Sequence, residues 1–331
     1  MNTIPLYVGL DYHQDAVQVC VVDQQARVLL NRRCGNDWRE IAGMVEPLNG
    51  SVARAGIECC TGAADLAEEL LTHARWPMDL AHPGYVARMK QTPDKSDFTD
   101  ARLLADLERT GYVPRVWLAP REVRELRMVL RFRQQLVDRR RDTKLRIGAL
   151  LRQQRISGVG TRWSKQWLTW LSATTELSDA ARWVIDQHLA DLADLSTRIA
   201  SAERQLQRMT NDDPQVKKLL AIKGIGSVTA WWLRAEVGRF DRFRTGKQLA
   251  RFCGLSPCNR STGKKVADSG LVWAGHPQFK AALIEAAHRL ARYHPRWREL
   301  YTRLCAAGKP KCVALAAVAN RWVRSLLHEM R

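Results

Sequence analysis

The chain has 331 residues, a formal net charge of +19 and a pI near 10.1. Hydrophobic residues make up 46% of it, enough for folded cores, which excludes an intrinsically disordered protein and a small disulfide-held scaffold. No apolar run approaches the ~20 residues of a membrane-spanning helix, and the N-terminus lacks the pattern of a secretory signal, so we expect a cytoplasmic protein without a membrane partner.

The N-terminal third differs in charge from the rest of the chain. Residues 1–114 contain 11 Lys and Arg against 16 Asp and Glu, whereas the remaining residues contain 42 against 18. The first part therefore has a net charge of −5 and the second a net charge of +24. This asymmetry predicts nucleic-acid binding by the basic part, and a merely solvated basic surface is the alternative.

The eight cysteines indicate free thiols rather than a metal site. They include no Cys-x-x-Cys pair, and the closest spacings are Cys59-Cys60, Cys253-Cys258 and Cys305-Cys312. None of these pairs has a matching histidine cluster. We therefore expect buried thiols, kept reduced in the cytoplasm, and no zinc.

The first part of the chain alternates strands and helices. Strands are predicted over residues 6–11, 17–22, 28–33, 52–58 and 78–81, and helices over residues 38–48, 61–74 and 97–110. Short connections between the first three strands favour an antiparallel meander. Three strands followed by helix, strand, helix, strand and helix is the order of an RNase H-like α/β fold.

After Pro120 the pattern changes to two long helices, over residues 121–155 and 178–209. A glycine-containing link joins them, which predicts an antiparallel hairpin serving as an extended arm, a coiled-coil dimerisation element, or both. The first helix carries 12 Lys and Arg against four acids, which favours contact with phosphates. The candidate contacts are Arg139, Arg140, Arg141 and Lys144.

Three tryptophans recur at helical spacing between the two long helices. Trp163, Trp167 and Trp170 could stack on RNA bases. Core packing is the more common role of such a stripe, and we prefer it.

The last part of the chain is predicted to be mostly helical. Residues 219–230 have the pattern of a helix-hairpin-helix, with a Gly-Ile-Gly turn between two apolar segments. In that motif the turn aims backbone N–H groups at a DNA phosphate. The candidate contacts are Lys223, Gly224 and Gly226, and a purely structural turn is the alternative.

Two predicted strands end on an acid. Asp11 closes the first strand and Glu58 the fourth, and these strands lie side by side in an RNase H-like sheet. Carboxylates so close together are unfavourable unless a cation lies between them. Because Mg²⁺ prefers oxygen ligands, we predict a Mg²⁺ site at this edge.

Further acids precede or begin the helix predicted over residues 97–110. Asp94, Asp97 and Asp100 are spaced at i, i+3 and i+6, so Asp97 and Asp100 would project from one face. Capping of the helix is the alternative, and we prefer it for Asp94. His13 could assist the metal site, although an imidazole facing solvent is the more common arrangement.

Several segments together resemble one known family. The acidic segments are Gly9-Leu10-Asp11, Gly56-Ile57-Glu58 and Lys95-Ser96-Asp97-Phe98-Thr99-Asp100-Ala101. They resemble the DEDD motifs of the insertion-sequence transposases of the "one-ten" type, which include the "eleven-eleven" group. Within this pattern Lys-x-Asp-x-x-Asp-Ala selects Asp97 and Asp100 over Asp94. The C-terminal half resembles the same family at residues 224–226, 248–257, 261–263 and 283–287.

The resemblance implies a DNA recombinase built from three parts. These are a RuvC-like (RNase H-like) domain at residues 1–118, a coiled-coil hairpin at 119–210 and a transposase domain at 211–331. Family members use a structured noncoding RNA, the bridge RNA, to pair with target and donor DNA. Their active sites combine residues from different subunits, which implies that this chain forms a homo-oligomer, either a dimer or a tetramer. The resemblance also implies that it acts at the nucleoid of a prokaryote.

The resemblance also implies a covalent DNA–protein intermediate formed by a hydroxyl group near the Mg²⁺-binding acids. The family serine usually stands directly before a glycine, and here that position holds Thr262, preceded by Ser261. Thr262 aligns without a gap, whereas Ser261 lacks the hindering β-methyl group, and we favour Thr262. Nearby cations would stabilise the phosphate charge, and they are Arg260, Lys264 and Lys265.

We therefore interpret the chain as an RNA-guided DNA transposase that cuts and rejoins DNA. Two alternatives stay open. A metal-dependent nuclease or Holliday-junction resolvase would use only the acids and water. A non-catalytic nucleic-acid-binding protein would use only the helical arm and the helix-hairpin-helix pattern.

Overall fold

A computed structural model describes residues 4–90, 96–259, 261, 263 and 268–331, with the backbone alone for residues 268 and 269. The chain forms two compact units, Met1–Arg121 and Glu122–Arg331, here called the N-terminal and C-terminal units. The N-terminal unit is an α/β structure and the C-terminal unit is mostly helical, as the sequence predicts. The division into three domains at residues 118 and 210 stays a prediction.

The N-terminal unit contains a six-stranded sheet and four α-helices among its described residues. The strands are β1 (Ile4–Tyr12), β2 (Ala16–Val22), β3 (Val28–Gly35), β4 (Gly50–Glu58), β5 (Met78–Ala81) and β6 (Arg115–Val116). The helices are α1 (Trp38–Val45), α2 (Ala63–Glu69), α3 (Pro83–Met89) and α4 (Asp97–Thr110). Every predicted element is present, whereas α3 and β6 were not predicted because each is too short to show a hydrophobic period.

The sheet is mixed, with the strand order β3-β2-β1-β4-β5-β6. β1 pairs antiparallel with β2 and parallel with β4, so the predicted adjacency of the first and fourth strands is confirmed. One face of the sheet packs Leu6, Val8 and Leu10 against the apolar sides of α1 and α2. The opposite face packs against α4 through Cys20 and Val22 of β2.

A pair of glycines lets α4 lie directly on the sheet. Gly9 of β1 and Gly56 of β4 are partners in the parallel register. A Cβ atom at Gly9 would lie 2.0 Å from the Ala101 carbonyl oxygen, and one at Gly56 would lie 2.6 Å from Glu108 Oε1. Real Cβ contacts do not become this short, so any side chain at Gly9 would push α4 away from the sheet.

The C-terminal unit contains nine α-helices and one hairpin among its described residues. The helices are α5 (Arg121–Gln153), α6 (Lys165–Ala173), α7 (Asp179–Thr210), α8 (Pro214–Leu220), α9 (Ser227–Trp232), α10 (Gly246–Phe252), α11 (Pro277–Tyr293), α12 (Pro295–Ala306) and α13 (Lys311–Met330). The hairpin pairs β7 (Pro257–Asn259) with β8 (Asp268–Leu271). In the described part of the chain, every helix is too short or too polar to span a bilayer.

The two long helices, α5 and α7, pack against each other in opposite directions. Leu136 of α5 contacts Leu195 and Ile199 of α7, and Arg133 of α5 forms an ion pair of 2.7 Å with Glu203. Later residues of α5 therefore contact earlier residues of α7, as in the predicted antiparallel hairpin. α6, which was not predicted, fills the hairpin's distal end with a buried core.

The tryptophan stripe belongs mainly to that core, so the packing interpretation is confirmed. Trp167 is 1% exposed and contacts both Trp163 and Trp170, whose rings lie 4.7 and 5.9 Å from it between centroids.

The prediction of buried thiols is right for Cys20 and Cys253 and wrong for Cys60 and Cys312, which are exposed. All eight cysteines are free.

Glu108 of α4 is a carboxyl group buried against the sheet. Its side chain is fully covered, with Arg54 Nε 3.2 Å from Glu108 Oε2. Arg54 and Arg115 both pair with Asp79, at 2.6 and 2.8 Å. Burial, assisted by the charge of Asp79, raises the pKa of Glu108 to about 7 although the two arginines oppose the shift. The free-energy cost of ionising this buried acid is therefore larger than the stabilisation of its charge by Arg54 and Arg115.

We expect the stability of the N-terminal unit to fall as the pH rises from about 5 to about 8, by roughly 1–3 kcal/mol. The reason is that Glu108 has a folded pKa of about 7 against an ordinary value of 4.5, so its contribution is complete at low pH and lost through pH 7. Glu108→Gln should flatten this dependence. Amide hydrogen exchange of β1 and β4 in the full-length protein measures it.

The matched control is Asp106→Asn on the same helix, because Asp106 is partly exposed and pairs with Arg109 at the surface. This variant should keep the wild-type pH dependence. A Glu108→Gln profile as steep as that of the wild type would contradict the electrostatic interpretation.

Candidate functional site

The carboxyl ends of β1 and β4 present two acids on the face of the sheet that carries α4. Leu10 pairs with Ile57 in the parallel register, so Asp11 and Glu58, the next residues, are neighbours. Side chains alternate along a strand, and each acid stands two residues after one of the paired glycines. Asp11 and Glu58 therefore point to the same side as Gly9 and Gly56.

His13 brings Asp11 and Asp97 together. Its Nε2 atom lies 3.4 Å from Asp11 Oδ2 and 3.3 Å from Asp97 Oδ2. One donor atom from each of the three residues fits within 4.8 Å of the others, close enough to hold one metal ion. The His13 side chain is 43% exposed, so it faces solvent as expected and yet contacts both carboxylates.

The two acids of α4 lie in the first turn of the helix. Their side chains differ in surroundings, because Asp97 contacts His13 whereas Asp100 pairs with Lys90 at 2.6 Å. The Asp100 side chain is only 12% exposed. Lys90 directly follows the last residue of α3, so this unpredicted helix positions a cation at the acidic site.

The charges of these acids act on one another. Burial raises the pKa of Asp11, and the negative charges of Asp97 and Asp100 raise it further, while His13 lowers it. Although Cys60 as a residue is exposed, partial burial of its thiol raises the pKa of that thiol, and the charges of Glu58 and Asp11 raise it further. Such a group of carboxylates is stabilised by added positive charge.

The donor set suits a hard divalent cation. Carboxylate oxygens predominate, and Mg²⁺ and Mn²⁺ both accept such ligands, whereas zinc sites favour sulfur and several imidazoles. Asp11 and Asp97 would be the primary ligands, with His13 beside them. His13 lies directly after the end of β1, so strand alternation does not predict its side-chain direction, and only the structure shows that it contacts both carboxylates.

The loop with the candidate hydroxyl groups is carried by the β7–β8 hairpin. Ser261 is exposed, and its backbone N–H donates a hydrogen bond of 2.7 Å to Asn259 Oδ1. Gly263 adopts a positive φ of 55°. Candidates outside the described residues are Thr262, Arg260, Lys264 and Lys265, together with Asp94 and Lys95 in the N-terminal unit.

Some of the basic side chains of α5 already form contacts within the protein, and others do not. Arg141 pairs with Asp142 at 3.1 Å and with Asp138 at 3.5 Å. Lys144 lies 4.8 Å above the Trp163 ring, and its pKa is lowered by burial and by Arg140. Arg139 is exposed, and Arg140 is partly exposed.

The Gly-Ile-Gly turn lies between α8 and α9, as the helix-hairpin-helix pattern predicts. Gly224 has a φ of 101°, and a Cβ there would meet Leu290 at 2.7 Å, so packing as well as conformation requires glycine. Lys223 is exposed, and Gly226 faces Arg289. A cavity of about 750 Å³ is lined by Gly226, Arg289 and Arg141, so two separately predicted contact regions meet there.

Comparison with known proteins matches both parts of the chain. Residues 8–156 match the family model of DEDD transposases of the IS110 type, described as "Transposase". Residues 216–302 match the model described as "Transposase IS116/IS110/IS902 family". The first match contains the four predicted acids, and the second contains the Gly-Ile-Gly turn and the β7–β8 hairpin.

Individual relatives extend over most of the chain. A "Transposase for insertion sequence element IS1111A" from Coxiella burnetii is 24% identical over 289 residues, covering 86% of this chain and 78% of that protein. A "Probable family 20 transposase" from Pseudomonas aeruginosa is 27% identical over 336 residues, covering 96% and 95%. A "Putative transposase y4qE" from Sinorhizobium fredii is 27% identical over 225 residues, covering 66% and 54%.

We expect about 5 mM Mg²⁺ or Mn²⁺ to raise the melting temperature of the wild-type protein by a few degrees, because a ligand that binds only the folded state stabilises it. Asp11→Asn should abolish this rise. Without metal, the variant should melt at or above the wild-type temperature, since it loses repulsion from Asp97 and Asp100. Differential scanning calorimetry measures both quantities.

Glu69→Gln is the matched control, because Glu69 is an exposed acid on α2. It should keep the full metal-induced rise. A normal rise in Asp11→Asn would show that the metal binds elsewhere.

Proposed function

Because this chain belongs to the IS110/IS1111-type DEDD transposases, we propose that it cuts and rejoins DNA through a covalent bond between a protein hydroxyl and a DNA phosphate. The family is one of DNA recombination enzymes that move insertion sequences. The observation that carries the proposal is the convergence of Asp11, His13 and Asp97 at one edge of the sheet. The carboxylates of Asp11, from a strand, and Asp97, from a helix, repel each other there, and a bound cation would relieve that repulsion.

In this proposal the N-terminal unit is a RuvC-like domain that holds the reacting phosphate. Asp11, Glu58, Asp97 and Asp100 would hold Mg²⁺, with Lys90 and His13 adjusting the charge of the carboxylates. Mg²⁺ would supply neutralisation of phosphate charge and a fixed position for the scissile group. Asp11 would remain ionised when the cation is bound, because an adjacent positive charge lowers a carboxyl pKa.

The nucleophile is proposed to be the hydroxyl of Ser261 or Thr262. Its oxygen would bond to phosphorus while the bond from phosphorus to one deoxyribose oxygen breaks, and that oxygen would leave with a proton as a DNA hydroxyl end. Attack of a DNA hydroxyl on the protein–phosphate ester would then rejoin the DNA and return the proton to the protein hydroxyl. Ser261 is exposed on the β7–β8 hairpin, at the end of a strand that fixes the start of the loop. Ser261 is two residues before Gly263, and an exposed residue has the access to a phosphodiester that nucleophilic attack requires. Arg260, Lys264 and Lys265 would stabilise the negative charge that develops on the phosphorus oxygens.

The remaining parts of the proposal concern partners and organisation. Residues 119–210 would act as a coiled-coil linker that joins subunits into a dimer or tetramer, and residues 211–331 as the transposase domain. A structured guide RNA, the bridge RNA, would pair with donor and target DNA. Arg139 and Arg140, which have no ion pair with a described acid, are the strongest candidate phosphate contacts of the arm. The complex would act at the bacterial nucleoid.

A metal-dependent resolvase is the second candidate, and it is favoured by one observation. The donor atoms of Asp11, His13 and Asp97 lie close enough together to hold a metal ion that could carry a water molecule. Water could therefore be the nucleophile at the same site. A resolvase would release nicked DNA, whereas the proposed transposase would leave DNA attached to protein.

The proposal is tested by incubating the full-length protein with element-end DNA, flanking-region RNA and Mg²⁺, and by then denaturing the mixture. We expect wild-type protein to carry covalently bound DNA on a denaturing gel. One of the variants Ser261→Ala and Thr262→Ala should lose this adduct by at least about 100-fold, because removing a nucleophile removes the bond-forming atom. The other should keep most of it.

The matched control is Ser256→Ala, which removes a hydroxyl from the segment before β7 and should leave the adduct unchanged. Free nicked DNA without adduct in the wild type would favour the resolvase, and neither product would favour a binding protein. An adduct that survives in the Ser261→Ala/Thr262→Ala double variant would remove this loop from the mechanism.

A further inference from the structure

A groove in the C-terminal unit is lined by cations that have no role in the proposed metal site or in the proposed nucleic-acid contacts of α5. It lies among the start of α10, the helix α12 and the second half of α13, and we call it the α12–α13 groove. Its volume is about 880 Å³, far more than a single small anion fills. The cations that line it are Arg244, Lys247, Arg296, Arg303, Arg321 and Arg324.

These six cations are not neutralised within the described part of the chain. None of them forms an ion pair with a described acid, and Glu299 is the single acid among the residues that line the groove. Elsewhere in the same unit, by contrast, Arg133 and Arg234 pair with Glu203 and Asp213 at 2.7 and 2.5 Å. Six exposed and mutually repelling charges on one concave surface indicate a polyanionic ligand.

The frame of the groove is closely packed. Gly246 at the start of α10 lies so near α13 that a Cβ would stand 2.7 Å from the Arg324 carbonyl oxygen. Thr245 caps α10 by accepting a hydrogen bond from the Gln248 N–H group. Trp297 and Leu300 are buried beneath the groove. The backbone positions from which the arginines project are therefore fixed, which reduces the entropic cost of ordering them on a ligand.

The nature of the lining favours a phosphate backbone over exposed bases. Proteins that bind single strands provide aromatic faces on which bases stack. Here Trp297 is only 5% exposed, and the Arg296 guanidinium covers its ring at 4.6 Å from the centroid. Guanidinium groups instead form paired hydrogen bonds with phosphate oxygens. Thr245 adds a hydroxyl group that also suits phosphates, whereas the Ser325 hydroxyl donates to Glu329.

We infer that the α12–α13 groove binds the phosphate backbone of duplex DNA. The inference deepens the proposed function, on which it rests for DNA as the substrate, but it concerns affinity and not bond formation. The six cations would contact successive phosphates without reading the base sequence. The groove would hold DNA independently of pairing with a guide RNA.

The test is the salt dependence of binding to a fluorescently labelled DNA duplex of about 24 base pairs and arbitrary sequence, with the full-length protein. In the variant Arg303→Gln/Arg321→Gln/Arg324→Gln we expect the slope of log K against log salt to fall by about two to three units. The Kd at about 0.1 M salt should rise by at least about tenfold. These side chains are exposed, so folding should be unaffected.

Two matched variants separate this effect from net charge and from misfolding. Arg204→Gln/Arg208→Gln/Lys218→Gln removes the same charge from exposed cations of α7 and α8 and should keep a slope within about one unit of the wild type. Replacement of Arg303, Arg321 and Arg324 by Lys should retain most of the slope, because the positive charges remain.

Equal slopes for the groove variant and its charge-matched control would overturn the inference. A loss confined to a structured RNA hairpin, with duplex DNA binding unchanged, would overturn it as well. The covalent adduct assay at saturating DNA distinguishes this failure from failure of the proposed function. A groove variant that still forms the adduct but has a shallower salt slope supports both the groove inference and the proposed function. A wild-type protein that forms no adduct contradicts only the proposed covalent reaction.

Discussion

The close approach of α4 to the glycine pair Gly9–Gly56 is the contact on which the N-terminal site depends. Because Gly9 has no side chain, the backbone of α4 lies directly on β1, and Gly56 leaves room for the Glu108 side chain. Because side chains alternate along a strand, the acids two residues later face the same helix. The first turn of α4 then brings Asp97 to within reach of His13 and Asp11. In each Gly-x-acid segment, the glycine therefore leaves space on the face that packs against α4, and the acid two residues later lies on that same face.

Two acidic groups on this face of the sheet, Glu108 and Asp11, are stabilised in different ways. At its centre Glu108 is fully buried, and its pKa rises to about 7 despite Arg54, so desolvation exceeds attraction. At its edge Asp11 is partly exposed, and its raised pKa comes from burial and from neighbouring acids. A buried acid of the first kind is stabilised by protonation. A partly open cluster of the second kind is stabilised by a cation that enters from solvent.

The C-terminal unit separates its arginines by role. Those that tie helices together have acidic partners at short distances, as in the pair of Arg133 with Glu203. Those along the α12–α13 groove have no described acidic partner and share one concave surface. Net charge alone does not distinguish these sets, because both contribute equally to it. Exposure and pairing do, since an arginine already bound to a carboxylate offers less to a phosphate.

The sequence by itself determined the element order and the acids at the ends of β1 and β4, because hydrophobic period and strand-terminal residues are local signals. The adjacency of β1 and β4 was expected only from the order of elements in an RNase H-like fold, and the structure confirms it. The sequence also predicted α4 with its observed bounds and the antiparallel pair of long helices. Tertiary structure alone decided that His13 bridges Asp11 and Asp97 and that Lys90 neutralises Asp100, because these contacts depend on how α3 and α4 meet the sheet. It also gathered the six groove cations, which three helical segments bring together from residues 244–324. Spacing along a chain shows which face a residue occupies on its own element, but which faces meet is decided by packing among all of them.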